Sequence, residues 1–228
     1  MKQQLRRLVV VPILAMVAGL LLVTAGPATA AGSCSVVAPR RLSISSPVQT
    51  FHARLAGDCA RAHMDFASWN VTHPSIGVSD ILIFDAGQAS DSWQFYDWEH
   101  LGTYRVTPRS AWDVSSRALS ENTGRMSIRL VSHVAIRASR TGRFVTLRSS
   151  ATRYRPSVSA FRPWVGRAIA LSYRTCRTCS WHHITTRTTD GNGRIAPRRV
   201  LAPTAREFRA EIAKMSTTWG TTSAPVRR

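Results

Sequence analysis

Apolar and polar residues alternate with a period of two in short runs along most of the chain. Gln49-Thr-Phe-His-Ala-Arg-Leu55 and Gly102-Thr-Tyr-Arg-Val106 are of this kind, and Asp80-Ile-Leu-Ile-Phe84 is a short apolar run of strand length. Ser132-His-Val-Ala-Ile-Arg137, Arg143 to Ala151, Ala168 to Tyr173 and Trp181 to Arg187 also alternate. His63 to Trp69 has the same length and composition. Alternation over four to eight residues predicts half-buried strands. Pro156, Pro163 and the turn Thr189-Asp-Gly-Asn-Gly-Arg194 separate the runs, with glycines available for positive φ. Many short strands at this spacing predict an all-β protein built of sandwiches.

One segment fits two periods. Thr204-Ala-Arg-Glu207 has the form of a helix capping box, with Phe208, Ile212 and Met215 at helical spacing. The same residues also alternate, with Phe208, Ala210 and Ile212 on one face. Period alone does not choose between helix and strand.

The N-terminus follows a different pattern. Met1-Lys-Gln-Gln-Leu-Arg-Arg7 is basic, Leu8 to Gly26 carries no charge, and Ala28-Thr29-Ala30 is a small-residue cleavage pattern. This order predicts a secretory signal peptide over residues 1–30. The alternative is an uncleaved membrane anchor, the single route to a membrane that the sequence suggests. Export changes the reading of the four cysteines, because disulfides persist outside the cytoplasm. Cys34 with Cys59 and Cys176 with Cys179 pairs sequence neighbours. The stretch Thr175-Cys-Arg-Thr-Cys-Ser-Trp-His-His183 also has the composition of a zinc site. Adjacent His182 and His183 would point to opposite faces of a strand, which disfavours joint ligation. Cys-Arg-Thr-Cys instead predicts a hairpin connection closed by its own bridge. Such a small ring stabilises less than the roughly 3 kcal/mol expected of a 15-residue loop.

The stretch Trp164-Val-Gly-Arg-Ala-Ile-Ala-Leu-Ser-Tyr173, followed by Trp181, Thr188-Thr-Asp-Gly-Asn-Gly-Arg-Ile195 and Phe208-Arg-Ala210, carries a resemblance. It resembles a pattern of bacterial Ig-like and transthyretin-like β-sandwich domains found in exported actinobacterial proteins. The resemblance spans residues 127–228 and implies a strand around Phe208. It implies nothing specific about activity. The N-terminal half shares with such domains only Leu101-Gly-Thr-Tyr-Arg-Val-Thr-Pro108, a common closing strand. The expected organisation is two tandem Ig-like sandwiches, at 31–112 and 127–228. Residues 113–126, poor in apolar alternation, form the expected linker.

Charge separates the two halves. Residues 31–112 hold six arginines against seven carboxylates, whereas residues 113–228 hold 22 basic residues against five acidic ones, a net of +17. This asymmetry points to a polyanionic partner for the second half, such as an anionic cell-wall polymer or a glycan. Nucleic acid is not expected. Lys214 is the one lysine after the leader, so an arginine-rich genome is a competing source of the excess.

The remaining chemistry lies in Asp91-Ser-Trp-Gln-Phe-Tyr-Asp-Trp-Glu99. Alternation puts Trp93 and Phe95 on one face with Asp91, Asp97 and Glu99, and Tyr96 and Trp98 on the other. Carboxylates are costly to bury without partners. Tyr96 and Trp98 are therefore expected in the core, leaving Trp93, Phe95, Asp91 and Asp97 as a glycan- or protein-binding face. Asp85 with Asp91 also suggests oxygen ligands for calcium. Paired carboxylates from Asp85 to Glu99 further allow a glycan hydrolase. No nucleophile elbow, H-E-x-x-H motif or phosphate loop occurs, and no cofactor is expected. A secreted, non-catalytic binding protein is the leading expectation, with the hydrolase as its alternative.

Overall fold

The computed structural model describes residues 32–61 and 64–228, so the leader read from residues 1–30 lies outside the described residues. The regular structure of the described residues is all strand apart from two short 3-10 turns. The first nine strands are β1 (Ser33–Val37), β2 (Arg41–Ile44), β3 (Val48–Gly57), β4 (Met64–His73), β5 (Gly77–Asp85), β6 (Ser90–Tyr96), β7 (Gly102–Asp113), β8 (Ser120–Glu121) and β9 (Gly124–Leu130). They form two sheets, ordered β6-β3-β1-β8 and β2-β9-β7-β4-β5. β2 runs parallel to β9, and the neighbouring β9–β7, β7–β4 and β4–β5 pairs are antiparallel.

This order is that of an immunoglobulin sandwich, and two side chains bear it out. Trp69 stands fully buried on β4, where such folds carry a core tryptophan. Tyr104, at the start of β7, is fully buried and donates its hydroxyl to the carbonyl of His100 four residues upstream. That bond is the tyrosine corner of Ig-like domains. The Cys34–Cys59 bridge, however, joins β1 to the turn after β3 and so lies on one sheet instead of crossing between sheets.

The second half repeats the plan. Its strands are β10 (Ser132–Thr141), β11 (Phe144–Arg155), β12 (Ala160–Pro163), β13 (Ala168–Arg174), β14 (His182–Thr188), β15 (Arg198–Leu201), β16 (Glu207–Ile212), β17 (Thr221–Thr222) and β18 (Val226–Arg227). One sheet runs β10-β11 with β12 and β15 on the far side of β11. The other runs β14-β13-β16, with β17 and β18 on β16. Between them Val145, Leu147, Ile169, Leu171 and Phe208 are completely buried. The segment that fitted two periods is a strand, because β16 pairs along its length with β13.

The expected boundary is displaced. β7 extends to Asp113, β8 pairs with β1, and β9 pairs with both β2 and β7. Residues 113–126 are thus part of the first sandwich, and β9 continues it through Leu130. Asn122 shows why: its side chain accepts from the Val36 amide at 2.8 Å and donates to the Val36 carbonyl at 3.1 Å, while its own carbonyl accepts from Trp69 Nε1 at 3.0 Å. A stretch without apolar alternation is held by polar bonds to residues far away in sequence. Only Val131 separates β9 from β10.

The joint between the sandwiches is bonded on two sides. Trp219 donates Nε1 to the Leu42 carbonyl at 2.9 Å, with the guanidinium carbons of Arg41 and Arg129 at 4.1 and 4.5 Å from its ring centre. Tyr154 of β11 is buried among the first sandwich's core residues and donates its hydroxyl to Asp97 at 2.6 Å.

Candidate functional site

The aromatic run lies the other way round from the expectation. On β6 Trp93 and Phe95 point inward, 5% and 0% exposed, while Tyr96 at its end and Trp98 in the turn beyond are 37% and 74% exposed. Trp93 and Phe95 meet Phe51 and Tyr104 edge-on in the core. The carboxylates that argued against this are all satisfied. Asp91 accepts from the Ser92 amide at 2.6 Å and from the Ile83 amide, on the facing sheet's edge strand, at 3.0 Å. Glu99 accepts from the Tyr96 amide at 2.8 Å. β6 ends at Tyr96, so Asp97 and Glu99 do not continue the strand face. Asp97 is buried against Tyr154. Trp93 and Phe95 therefore present no surface to a ligand. The outward pair Tyr96 and Trp98 stacks instead, with ring centres 5.5 Å apart and planes 22° apart.

The acidic cluster has the electrostatics of a crowded edge. Burial, above all, raises the Asp80 carboxyl above its ordinary value, and Asp91 adds to the rise. Burial likewise raises Glu99, with a contribution from Asp80. Tyr104 is pushed up to about 12 by burial and by Glu99. Asp85 is exposed where β5 turns toward β6. Asp91, Asp97 and Glu99, three of the carboxylates read as a hydrolytic set, are engaged in holding backbone or Tyr154. The four cysteines form the bridges Cys34–Cys59 and Cys176–Cys179, so the thiols beside His182 and His183 are not free to ligate zinc.

The second sandwich carries a site that the sequence indicated only as a charge excess. From Ser132 to Arg228 there are 19 basic residues against three acidic ones, a net of +16, while residues 32–131 hold nine of each. The three acids are all engaged. Glu207 pairs with Arg174 at 2.6 Å and Glu211 with Arg209 at 3.4 Å. Asp190 closes the turn of the T-T-D-G-N-G-R motif by accepting from the amides of Asn192 and Arg194. Several arginines, with or without a carboxylate, also lie over ring faces. Arg153 and Arg167 lie over Trp164, Arg174 and Arg209 over Trp181, Arg199 over Phe144 and Arg206 over Tyr173. The crowding is felt at Arg153, whose guanidinium is pushed below its ordinary value by burial and then by Arg155.

Of the arginines with neither kind of partner, three meet at one groove. Arg137 on β10 and Arg148 on β11 are directly opposite each other in the antiparallel register. Like charges so placed are destabilising. Arg194 reaches the same groove from the turn, whose position depends on Gly193. This residue has φ +72°, and a Cβ there would lie 2.5 Å from the Ala151 carbonyl oxygen. Only glycine lets the loop close on β11, through Ala151 N to Gly193 O at 2.8 Å and Ile195 N to Ser149 O at 3.1 Å. The resulting groove measures about 790 Å³ and is lined by these arginines with Ser150, Thr188 and the turn's Asp190, whose carboxylate is occupied by the Asn192 and Arg194 amides. Open guanidinium forks over a hydroxyl floor suit carboxylate, sulfate or phosphate groups.

No protein-family model matches the chain, and no curated protein is similar to it. Among solved structures it is similar to E. coli α-2-macroglobulin, at 10% identity and a TM-score of 0.44, over 89% of this chain and 14% of that one. It is also similar to bovine butyrophilin, at 10% identity and a TM-score of 0.35, over 86% of this chain and 97% of that one. The human OSCAR ligand-binding domain matches at 10% identity and a TM-score of 0.27, over 86% and 96% of the two chains. The chain thus spans a small fraction of the macroglobulin's length. At these scores the Ig-like assignment rests on the strand order, Trp69 and the Tyr104 corner.

Proposed function

We propose that this protein is a non-catalytic, exported binding protein whose second sandwich attaches to an anionic polymer of the cell envelope. The observation that carries the reading is the Arg137–Arg148–Arg194 groove, in a sandwich whose three carboxylates are already engaged. Two arginines directly opposite each other repel unless an anion lies between them, so the groove is stabilised by the ligand it would bind. Two disulfides in one chain fit an oxidising compartment. The joint, bonded through Tyr154 and Trp219, makes the first sandwich a neutral companion that exposes the stacked Tyr96 and Trp98.

The test uses the full chain on immobilised heparin and on a glycerol-phosphate wall polymer. Binding should weaken as salt rises, because exposed charges are screened over about 8 Å at physiological ionic strength. The double variant Arg137→Gln/Arg148→Gln should elute at distinctly lower salt. The charge-matched control Arg54→Gln/Arg105→Gln in the first sandwich should not. Equal losses from both pairs would reduce the effect to net charge and sink the site.

A second reading attaches to the first sandwich. The stacked Tyr96–Trp98 pair offers a flat apolar face, which suits a sugar ring or a partner protein's side chain. Trp98→Ala would abolish such a contact while leaving polymer binding intact.

A further inference from the structure

The two disulfides have opposite surroundings. Cys34 and Cys59 are 0% and 5% exposed and belong to the first core. Cys176 and Cys179 lie in the exposed loop between β13 and β14, with Cys176, Arg177 and Thr178 open to solvent.

The fold does not depend on the second bridge. β13 and β14 pair from Tyr173–His182 onward, and the tip is closed by the Cys179 amide donating to the Cys176 carbonyl at 3.2 Å. Trp181, held between Arg174 at 4.6 Å and Arg209 at 4.4 Å, fixes the loop to the sheet. A ring of four residues removes little entropy from the unfolded chain. What the bridge does have is chemistry. Thr175 Oγ1 lies 3.5 Å from Cys179 Sγ, and Thr178 Oγ1 lies 3.5 Å from Cys176 Sγ. Each sulfur thus has a hydroxyl ready to donate to it as a thiolate. Residues 175–183 contain Arg177, His182 and His183 and no carboxylate. Cationic, hydroxyl-rich surroundings stabilise thiolates, and a sulfur that leaves easily as thiolate makes its disulfide a better oxidant.

We propose that Cys176–Cys179 is a thiol–disulfide exchange centre that accepts two electrons from the dithiol of a peptide or protein. A donor thiolate attacks the exposed Cys176 Sγ. The Cys176–Cys179 bond breaks, and its electron pair stays on Cys179 as a thiolate facing Thr175. The donor's second thiol loses its proton and attacks the donor sulfur of the mixed disulfide. The donor leaves as a disulfide, and Cys176 and Cys179 remain as a dithiol. This centre is independent of the anion groove.

The full-length protein is equilibrated in glutathione buffers of graded poise, alkylated and peptide-mapped. Cys176 and Cys179 should become alkylated where Cys34–Cys59 remains oxidised, with reduction constants differing at least tenfold and an unchanged melting temperature. Simultaneous reduction of both bridges, or a reduction that unfolds the second sandwich, overturns the proposal. In Cys179→Ser, the Cys176 thiol should attack an aromatic disulfide at pH 6 at least tenfold faster than a free peptide of residues 175–180 carrying the same change. Thr178→Val and Arg177→Glu, each added to Cys179→Ser, should slow that attack at least threefold. A rate equal to the peptide's would show that the surroundings do nothing, and the proposal fails.

Discussion

The two sandwiches share a plan and use their aromatic residues in opposite ways. In the first, rings pack on rings: Trp93, Phe95, Phe51 and Tyr104 form one edge-on cluster, and Trp69 meets Phe84. In the second, rings serve cations. All eight cation–π contacts among the described residues place an arginine over a ring of the second sandwich. Charge accounts for the difference. Nine basic and nine acidic residues let the first sandwich balance itself, whereas 19 against three leave the second short of carboxylates. A guanidinium over an indole gains about 0.5–1 kcal/mol at an exposed site without any anion. Rings thus allow the second sandwich to carry its excess charge. The arginines left without rings stand out as open to a ligand.

The largest expected effect tests the ring-on-ring core. Trp93→Ala should cost about 3–5 kcal/mol in chemical denaturation, as buried aromatic deletions do. Trp98→Ala, on the surface, should stay within about 0.5 kcal/mol. Equal losses would mean that both faces of β6 are covered.

The joint comes next. Tyr154→Phe removes the hydroxyl that Asp97 accepts from and leaves a buried carboxylate without that partner. The cost should be about 1–3 kcal/mol. It should also separate a single unfolding transition into two, since this bond crosses between the sandwiches. A single transition of undiminished midpoint would show that the bonds around Trp219 and Leu130 couple them without it.

Smaller still is the cation–π exchange. Trp181→Ala removes two arginine contacts and should cost about 1–2 kcal/mol, screened little by salt, which distinguishes it from an ion pair. Trp181→Phe should recover part of that loss.

The remaining effects show only away from neutral pH. Burial raises Asp80 and Glu99 above 3.8 and 4.5, so the folded first sandwich holds these protons more tightly than the unfolded chain. Their contribution to stability is full below those ordinary values and is lost as pH rises through the raised ones. Asp80→Asn should therefore flatten the acid side of the first sandwich's stability profile. At the other end, Tyr104 titrates at about 12 when folded and at 10.0 when free. The stability it supplies is complete below pH 10 and fades toward pH 12. Tyr104→Phe should remove that alkaline step.

The strands were legible because alternation is a local property: every run read as a strand lies in one or overlaps its ends, and the hairpin position of Cys-Arg-Thr-Cys followed from the runs on either side. The pairing of cysteines close in sequence was legible for the same reason. So was the charge asymmetry, which needs only composition. Parity along β6 was also read correctly, with Trp93 and Phe95 opposite Tyr96, and Trp98 lies in the turn beyond it. What failed was the choice of inward face, because alternation records a period and not which side a second sheet covers. That choice was made by Phe51 and Tyr104, by the Ser92 and Ile83 amides that satisfied Asp91, and by the distant Tyr154 that satisfied Asp97. The boundary failed for a related reason. Residues 113–126 lack a pattern of their own and are ordered by Val36, Trp69 and β1, up to 87 positions away. The arginine groove belongs to the same class: Arg137, Arg148 and Arg194 become neighbours only when β10 pairs with β11 and Gly193 lets the turn close on it. Period, composition and nearby pairings were thus set by the sequence itself. Facing, boundary and site were decided by contacts between residues far apart in the chain, whose energies exist only once the sheets have packed.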